Sequence, residues 1–299
     1  MAQLTAEFKE SVVSALLAQR DNYGGSDNDF SRQYDINGSV YNRLKNGERE
    51  RLLSDAKWLN LGREFGISLT ERKWNTARTD VFIMIEEEIM FCKEWSKGRI
   101  FADDCGIGKT YTAKYLSRSL KNCFYVDASQ CKTKHAFIRA LAKAVGVGEK
   151  GKISEIKANT KYYIKMLPKP IIIIDEAGDL EYSAFLELKE YWNGTDGCCG
   201  WYLVGADGLR EKMERGKRAK KVGYAEMFSR LSEKYSSAVP FERNEKLNFY
   251  RKLITDVLSV NMEDKTHLQK VVTRCLTTDE TGHIGGLRRA ESLAILNLR

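Results

Sequence analysis

Proline is scarce in this sequence: three residues in 299, two of which, Pro168 and Pro170, fence a single apolar run. Histidine is as rare, with three, and the seven cysteines (92, 105, 123, 131, 198, 199 and 275) form no C-x-x-C pair. Those counts argue against a zinc site. An odd number of scattered thiols argues against a disulfide framework and fits free thiols in a reducing cytoplasm. No run approaches the roughly 18 apolar residues that a membrane span needs, so no membrane partner is expected. The opening stretch, MAQLTAEFKESVVSALLAQR, carries acidic residues and reads as an amphipathic helix, not a signal peptide. Internal repeats and low-complexity tracts are absent as well.

Positive charge, in contrast, is in surplus: 49 Lys and Arg against 41 Asp and Glu, a net +8. Such a balance favours a polyanionic partner, and its distribution matters more than its size. The stretch 210–221, REKMERGKRAKK, holds seven basic residues against two acidic ones, which accounts for most of the surplus.

The patterning divides the chain into three sections. Residues 1–72 look helical throughout. Residues 73–240 alternate helical patterns with short β-branched runs, the mark of an α/β fold with a parallel sheet. Residues 241–299 return to helices, with Leu247, Tyr250, Ile254, Val257 and Leu258 spaced as a buried stripe.

Within the first section, FSRQYDINGSVYNRLKNGE (30–48) has a helix-turn-helix pattern. A short helix from Asp29 to Tyr34 is expected, then a turn at Ile36-Asn37-Gly38 and a second helix capped by Ser39. That second helix is expected to present Tyr41, Asn42, Arg43 and Lys45 outward, where they suit base edges and phosphates. An ordinary helical hairpin with a solvated polar face has the same pattern. A further turn is expected at the end of AKWLNLGREFGISL (56–69).

The second section contains ADDCGIGKT (102–110), which ends as a phosphate-binding loop does. Its context agrees: Arg99–Ala102 reads as a strand and Thr110–Leu120 as a helix, the order such a loop requires. Gly106 and Gly108 free the backbone around Ile107 to close on phosphate oxygens. Lys109 is expected to reach the β- and γ-phosphates of ATP, the Thr110 hydroxyl to ligate Mg2+, and Tyr111 to lie beside the nucleotide. Further on, PIIIIDEAGDL (170–180) supplies a buried strand that ends in two acids. Asp175 is expected to hold the Mg2+ through water, and Glu176 to orient or deprotonate the attacking water. The two motifs stand in the expected order. One departure is plain: the pattern has glycine where this chain has Asp103, followed by Asp104. Two carboxylates beside a triphosphate predict weakened nucleotide affinity, not lost function.

With these motifs together, the chain resembles the AAA+ ATPases of the transposition-helper group, MuB-like proteins related to IstB and TnsC. The resemblance covers nearly the whole chain: a small helix-turn-helix domain, a P-loop core and a short helical lid. It rests on CGIGKT, on IIIIDEAGDL, on MFSRLSEK (227–234) and on GGLRRA (285–290). It implies that Arg230 is an arginine finger reaching a neighbouring subunit's nucleotide, and that Arg288 is the lid arginine near the γ-phosphate. A polar sensor is usual after the fourth strand, where this chain has Ala206, with Asp207 one position on. That loss, together with the altered loop, implies slow hydrolysis.

The resemblance further implies a homo-oligomer, a filament or ring on double-stranded DNA, held by sequence-tolerant, salt-sensitive phosphate contacts. Three basic segments are candidates for those contacts: Lys132, Thr133 and Lys134; Lys150 and Lys152; and Lys217, Arg218, Lys220 and Lys221. Each also reads as a solvated loop, and the last as a subunit contact. The function implied is an ATP-dependent DNA-binding ATPase that recruits or activates the transposase of a mobile element, with hydrolysis driving disassembly. Two alternatives stay open: a helicase-loader-like AAA+ protein, and a helix-turn-helix regulator whose core senses nucleotide with little turnover.

Overall fold

The computed structural model describes residues 4–21, 23, 25–69, 74–277 and 284–296. Its first four helices, α1 (Ala6–Asp21), α2 (Asp27–Gln33), α3 (Gly38–Lys45) and α4 (Asp55–Phe65), close around a core of their own. Phe8, Val12, Val13 and Leu16 of α1 meet Trp58 and Leu61 of α4, and Phe30, Tyr41 and Leu44 fill the remaining side. Side-chain caps start three of these helices: Ser26 accepts from the Asp29 N–H, Asn37 from Ser39 and Ser54 from Lys57. Each satisfies an amide that the first helical turn leaves free.

Two expectations are corrected here. Asn37, not Ser39, caps α3. Tyr41 faces inward and is buried, its ring edge-on to Phe30 at 5.7 Å. Tyr41 and Leu44 lie three residues apart on one helical face, so both go to the core while Asn42, Arg43 and Lys45 stay exposed. The turn expected after 56–69 begins at Gly66, whose φ of 65° ends α4 in the left-handed conformation.

The following α5 (Asp80–Trp95) leads into an alternation of strands and helices: β1 (Gly98–Ala102), α6 (Lys109–Ser119), β2 (Cys123–Asp127), α7 (Lys134–Val145), α8 (Ile153–Met166) and β3 (Ile171–Asp175). Then come α9 (Tyr182–Gly194), β4 (Gly200–Gly205), α10 (Asp207–Arg218), α11 (Tyr224–Arg230) and the short β5 (Tyr235–Ser236). The five strands form one parallel sheet in the order β2-β3-β4-β1-β5. The isoleucine run divides by parity, as a strand covered on both faces must. Ile172 and Ile174 join the core under α7 and α9, while Ile171 and Ile173 join that under α5 and α6.

The last helices, α12 (Arg243–Asn261), α13 (Leu268–Cys275) and α14 (Leu287–Leu296), pack on one another and against the α5–α6 side. Tyr250, Ile254 and Leu258 are buried as the stripe requires, joined by Leu253; Leu247 and Val257 are half-buried. The architecture is an α/β P-loop fold with helical regions before and after it. No helix among the described residues is long and apolar enough to cross a membrane.

Ile173 is fully buried in the middle of the central sheet. Ile173→Ala is expected to cost about 2–5 kcal/mol in urea unfolding, the usual range for truncating a buried isoleucine. A loss below about 1 kcal/mol would contradict a strand covered on both faces.

Candidate nucleotide site

After Ala102 the chain leaves the sheet, turns through residues 103–108 and enters α6 at Lys109. Gly106 and Gly108 have φ of 74° and 98°, which side-chain-bearing residues rarely adopt. The turn therefore delivers the free amides at the start of α6, and the positive end of its dipole, to one point. Lys109 is buried there, its ammonium donating to the carbonyls of Asp103 at 2.8 Å and Asp104 at 2.5 Å. Burial lowers its pKa, an effect opposed by Cys105, Asp103, Glu176 and Asp175. Lys109 is thus in electrostatic reach of both acids at the end of β3.

Of that pair, Asp175 is buried. Its Oδ2 accepts from the Tyr125 hydroxyl at 2.9 Å and its Oδ1 from the Glu176 N–H at 3.0 Å. Tyr125, on β2, was not found from the sequence, because no motif marks a neighbour on an adjacent strand. Glu176 is exposed and has a φ of 49°, a left-handed conformation costing a non-glycine residue on the order of 1 kcal/mol. Burial, and then the charge of Asp175, raise its pKa, with Lys109 opposing. A carboxylate with a raised pKa on a strained turn suits a general base.

The two entrance acids do not face the cleft. Asp103 Oδ2 accepts from the N–H groups of Ala238 at 2.5 Å and Val239 at 3.0 Å. Asp104 Oδ2 accepts from the Tyr250 hydroxyl at 2.9 Å and pairs with the Lys246 ammonium at 2.6 Å. Both carboxylates are thus held on the side of α12, Asp104 by an ion pair and Asp103 by backbone N–H groups.

A cleft of about 1430 Å³ runs from the loop to α1, lined by Gly106, Ile107, Gly108, Lys109, Thr110 and Tyr111, by Glu176, by Ala206 and Arg288, and on its far side by Glu7, Ser11, Ser14 and Ala18 of α1. Nucleotide-sized ligands occupy clefts of a few hundred to about 1,000 Å³, so the space suffices. Asp207 opens α10 with its side chain mostly exposed and 4.0 Å from Arg210, leaving Ala206 as the residue that lines the cleft. Arg288 is exposed and lines the same cleft, whereas Arg289 turns away to Thr277.

Further lining comes from residues that no motif marked: Trp74, Asn75 and Thr79 before and at the cap of α5, and Val257 and Asn261 of α12. Asn75 and Asn261 exchange hydrogen bonds, from Asn75 N–H to Oδ1 at 2.7 Å and from Asn261 Nδ2 to the Asn75 carbonyl at 3.0 Å. Tyr111 shares a 2.6 Å bond with Thr76.

The remaining candidates lie elsewhere. Arg230 ends α11, with its carbonyl 3.3 Å from where a Cβ on Gly98 would sit, so it stands by the start of β1 while the loop follows that strand's end. Its Nη1 is buried without a hydrogen-bond partner. Lys132 pairs with Asp179 at 2.9 Å, Thr133 precedes α7 without a side-chain cap, and Lys134 pairs with Glu187 at 2.7 Å. Lys217 is half-buried between Glu214 and the Phe228 ring, Arg218 pairs with Glu211, Lys220 is exposed, and Lys221 lies over Tyr182.

The 132–134 and 217–221 segments share a neighbour. Glu181 donates its N–H to the Lys132 carbonyl, and the Tyr182 hydroxyl donates to the Val222 carbonyl. Lys150 and Lys152 are exposed on the connection after α7. Arg43 pairs with Glu48 and Lys45 with Asp27 on the separate N-terminal helices.

With this geometry established, one comparison bears on it directly. Residues 104–213 match the family model AAA_22, an AAA domain. The match begins in the phosphate loop and ends in α10, so it takes in the acidic strand as well. It supports a P-loop ATPase core of the AAA+ kind, a type of domain that typically binds nucleotide with Mg2+. No curated protein matches the chain.

The matched AAA domain and the observed donors fit one another. The glycine-opened turn leaves amides and one ammonium for an anion, and Thr110, which lines the same cleft as Glu176, would offer a hydroxyl to Mg2+. The metal would supply charge neutralisation of the phosphates. Lys109 and the α6 amides would bind and orient them, and Glu176 would take a proton from water.

Glu176→Gln is expected to leave nucleotide binding in place and to lower steady-state hydrolysis by about 10²–10⁴-fold. Because the base acts when ionised and its pKa is raised, the acid limb of turnover is expected to lie on the higher-pH side of an ordinary glutamate's. A pH–rate profile whose acid limb is unchanged in the variant contradicts this role.

Proposed function

We propose that the chain is an ATP-dependent, largely sequence-independent DNA-binding ATPase that oligomerises on target DNA and recruits or activates a transposase. Hydrolysis, slow and DNA-stimulated, drives disassembly. The organisation proposed is a helix-turn-helix-like unit over 1–72, an ATPase core over 73–240 and a lid over 241–299, in a cytoplasmic protein.

The observation that carries this reading is the separation of its arginines. Arg288 lines the cleft with the loop and Glu176, whereas Arg230 lies toward the opposite end of β1 with a buried, unpartnered Nη1. A five-residue strand spans about 16 Å, too far for Arg230 to serve its own cleft. A finger offered to a second copy accounts for the distance, with the buried Nη1 turning outward when the copies meet. Oligomerisation then follows from the need to complete each site.

For DNA, support comes from one member of each segment, Lys132 and Lys221, which both rest on residues 179–182, just beyond Glu176. A polyanion lying there sits close to the catalytic acid, which gives DNA a route to stimulate turnover. Lys217 is the weakest member, being occupied by Glu214 and Phe228. The segment at 150–152 and the exposed α3 residues Asn42, Arg43 and Lys45 offer further phosphate contacts.

Arg230→Ala and Glu176→Gln are each expected to abolish DNA-stimulated hydrolysis alone and to recover part of it when mixed, because a mixed interface unites one intact Glu176 with one intact Arg230. No recovery on mixing, with both variants still able to assemble, contradicts a finger in trans. Reversing charge at Lys132 and Lys134 is expected to weaken ATP-dependent binding of duplex DNA and to lower the slope of log affinity against log salt by about 0.9 per lost phosphate contact. An unchanged isotherm removes the pair from the DNA surface.

A further inference from the structure

Asp103 stands where the phosphate-loop pattern has its first glycine, and its carboxylate is buried, only 5% of the residue being exposed. Both of its oxygens have hydrogen-bond partners. Oδ1 accepts the N–H of Asp104 at 2.8 Å, and Oδ2 accepts those of Ala238 and Val239, in the connection between β5 and α12. Asp104 reaches α12 itself, through Tyr250 and Lys246. A third tie joins the same loop to α14: Leu287 donates its N–H to the Gly106 carbonyl at 2.7 Å. Gly286 packs so closely there that an added Cβ would lie 2.6 Å from that oxygen.

Resting on the reading of this loop as a nucleotide site, we infer that Asp103 and Asp104 are positioning residues that make the placement of the C-terminal helices follow the occupancy of the loop. The link is Lys109. Its ammonium holds the carbonyls of the two residues whose carboxylates hold Ala238, Val239, Lys246 and Tyr250. An ammonium has three protons to donate. An ammonium is attracted more strongly to an anionic phosphate than to a neutral carbonyl, so a bound phosphate chain competes for Lys109 and draws it off them. The peptide joining Asp103 to Asp104 is then released on its carbonyl side while its carboxylates stay fastened to α12. Any shift of that peptide is passed to α12, and through the packing of α12 on α14 to Arg288. With glycine at 103 the loop still binds anions, but the connection to 238–239 is gone.

Hydrogen–deuterium exchange of the full chain, with and without a saturating slowly hydrolysed ATP analogue and Mg2+, tests this. In the native chain, amides of 243–261 are expected to change exchange rate by about fivefold or more on nucleotide addition, the lower end of coupling between sites. In Asp103→Gly, and in the double variant Lys246→Met with Tyr250→Phe, each saturated with nucleotide, that difference is expected to shrink below about twofold. A variant that binds nucleotide and keeps the full difference overturns the inference. That holds even if its exchange is faster in both states, since a mere structural fastener gives that result. Should Asp103→Gly not fold, the double variant, which leaves the loop's own sequence intact, decides by the same criterion. Native chain that binds the analogue without any change over 243–261 overturns the coupling alone. Native chain that binds no analogue overturns the nucleotide reading, and the coupling with it.

Discussion

Parallel pairing of the five strands brings every strand's carboxyl end to one edge of the sheet, and the site depends on that constraint. The register sets Ala102 beside Gly205 and Ile174 beside Leu203, so the residues that follow β1, β4 and β3 emerge as neighbours. The order β3-β4-β1 puts one strand between the phosphate loop and the acids. Two strand spacings make about 10 Å, room for a phosphate chain and a metal between Lys109 and Asp175. Ligands of open α/β sheets lie at this edge because loops and helix N-termini gather there.

The electrostatics of the edge are settled by pairing, not by the net count of charges. Four acids stand around Lys109, yet three are spoken for: Asp175 by Tyr125 and the Glu176 amide, Asp103 by two backbone amides, Asp104 by Lys246 and Tyr250. Glu176 alone keeps an exposed carboxyl on the cleft, and burial together with Asp175 raises its pKa. The same division sets Glu176, the proposed general base, apart from Asp103 and Asp104, which tie the loop toward α12.

The parts of this arrangement that were legible in the sequence are local. The loop, its flanking strand and helix, and the isoleucine strand with its two acids all lie where their spacing puts them. Each is fixed by neighbours a few residues away. What was not legible depends on distant partners. Nothing near Asp103 signals Ala238 and Val239, and nothing near Asp104 signals Tyr250, which lies 146 positions on. The two acids therefore read as repulsive when they are tethers. Tyr41 read as outward because its polar neighbours dominate the segment, whereas its partner Phe30, on another helix, draws it into the core. Lys217 read as free charge, although Phe228 and Glu214 hold it.

The account stands most directly on whether the altered loop holds a nucleotide, since the entrance acids are argued to be tethers and not a barrier. Equilibrium titration with a fluorescent ATP analogue, with and without Mg2+, measures this. Mg2+-dependent saturation below millimolar nucleotide is predicted, a binding free energy more favourable than about −4 kcal/mol. No Mg2+-dependent binding at millimolar nucleotide would contradict it.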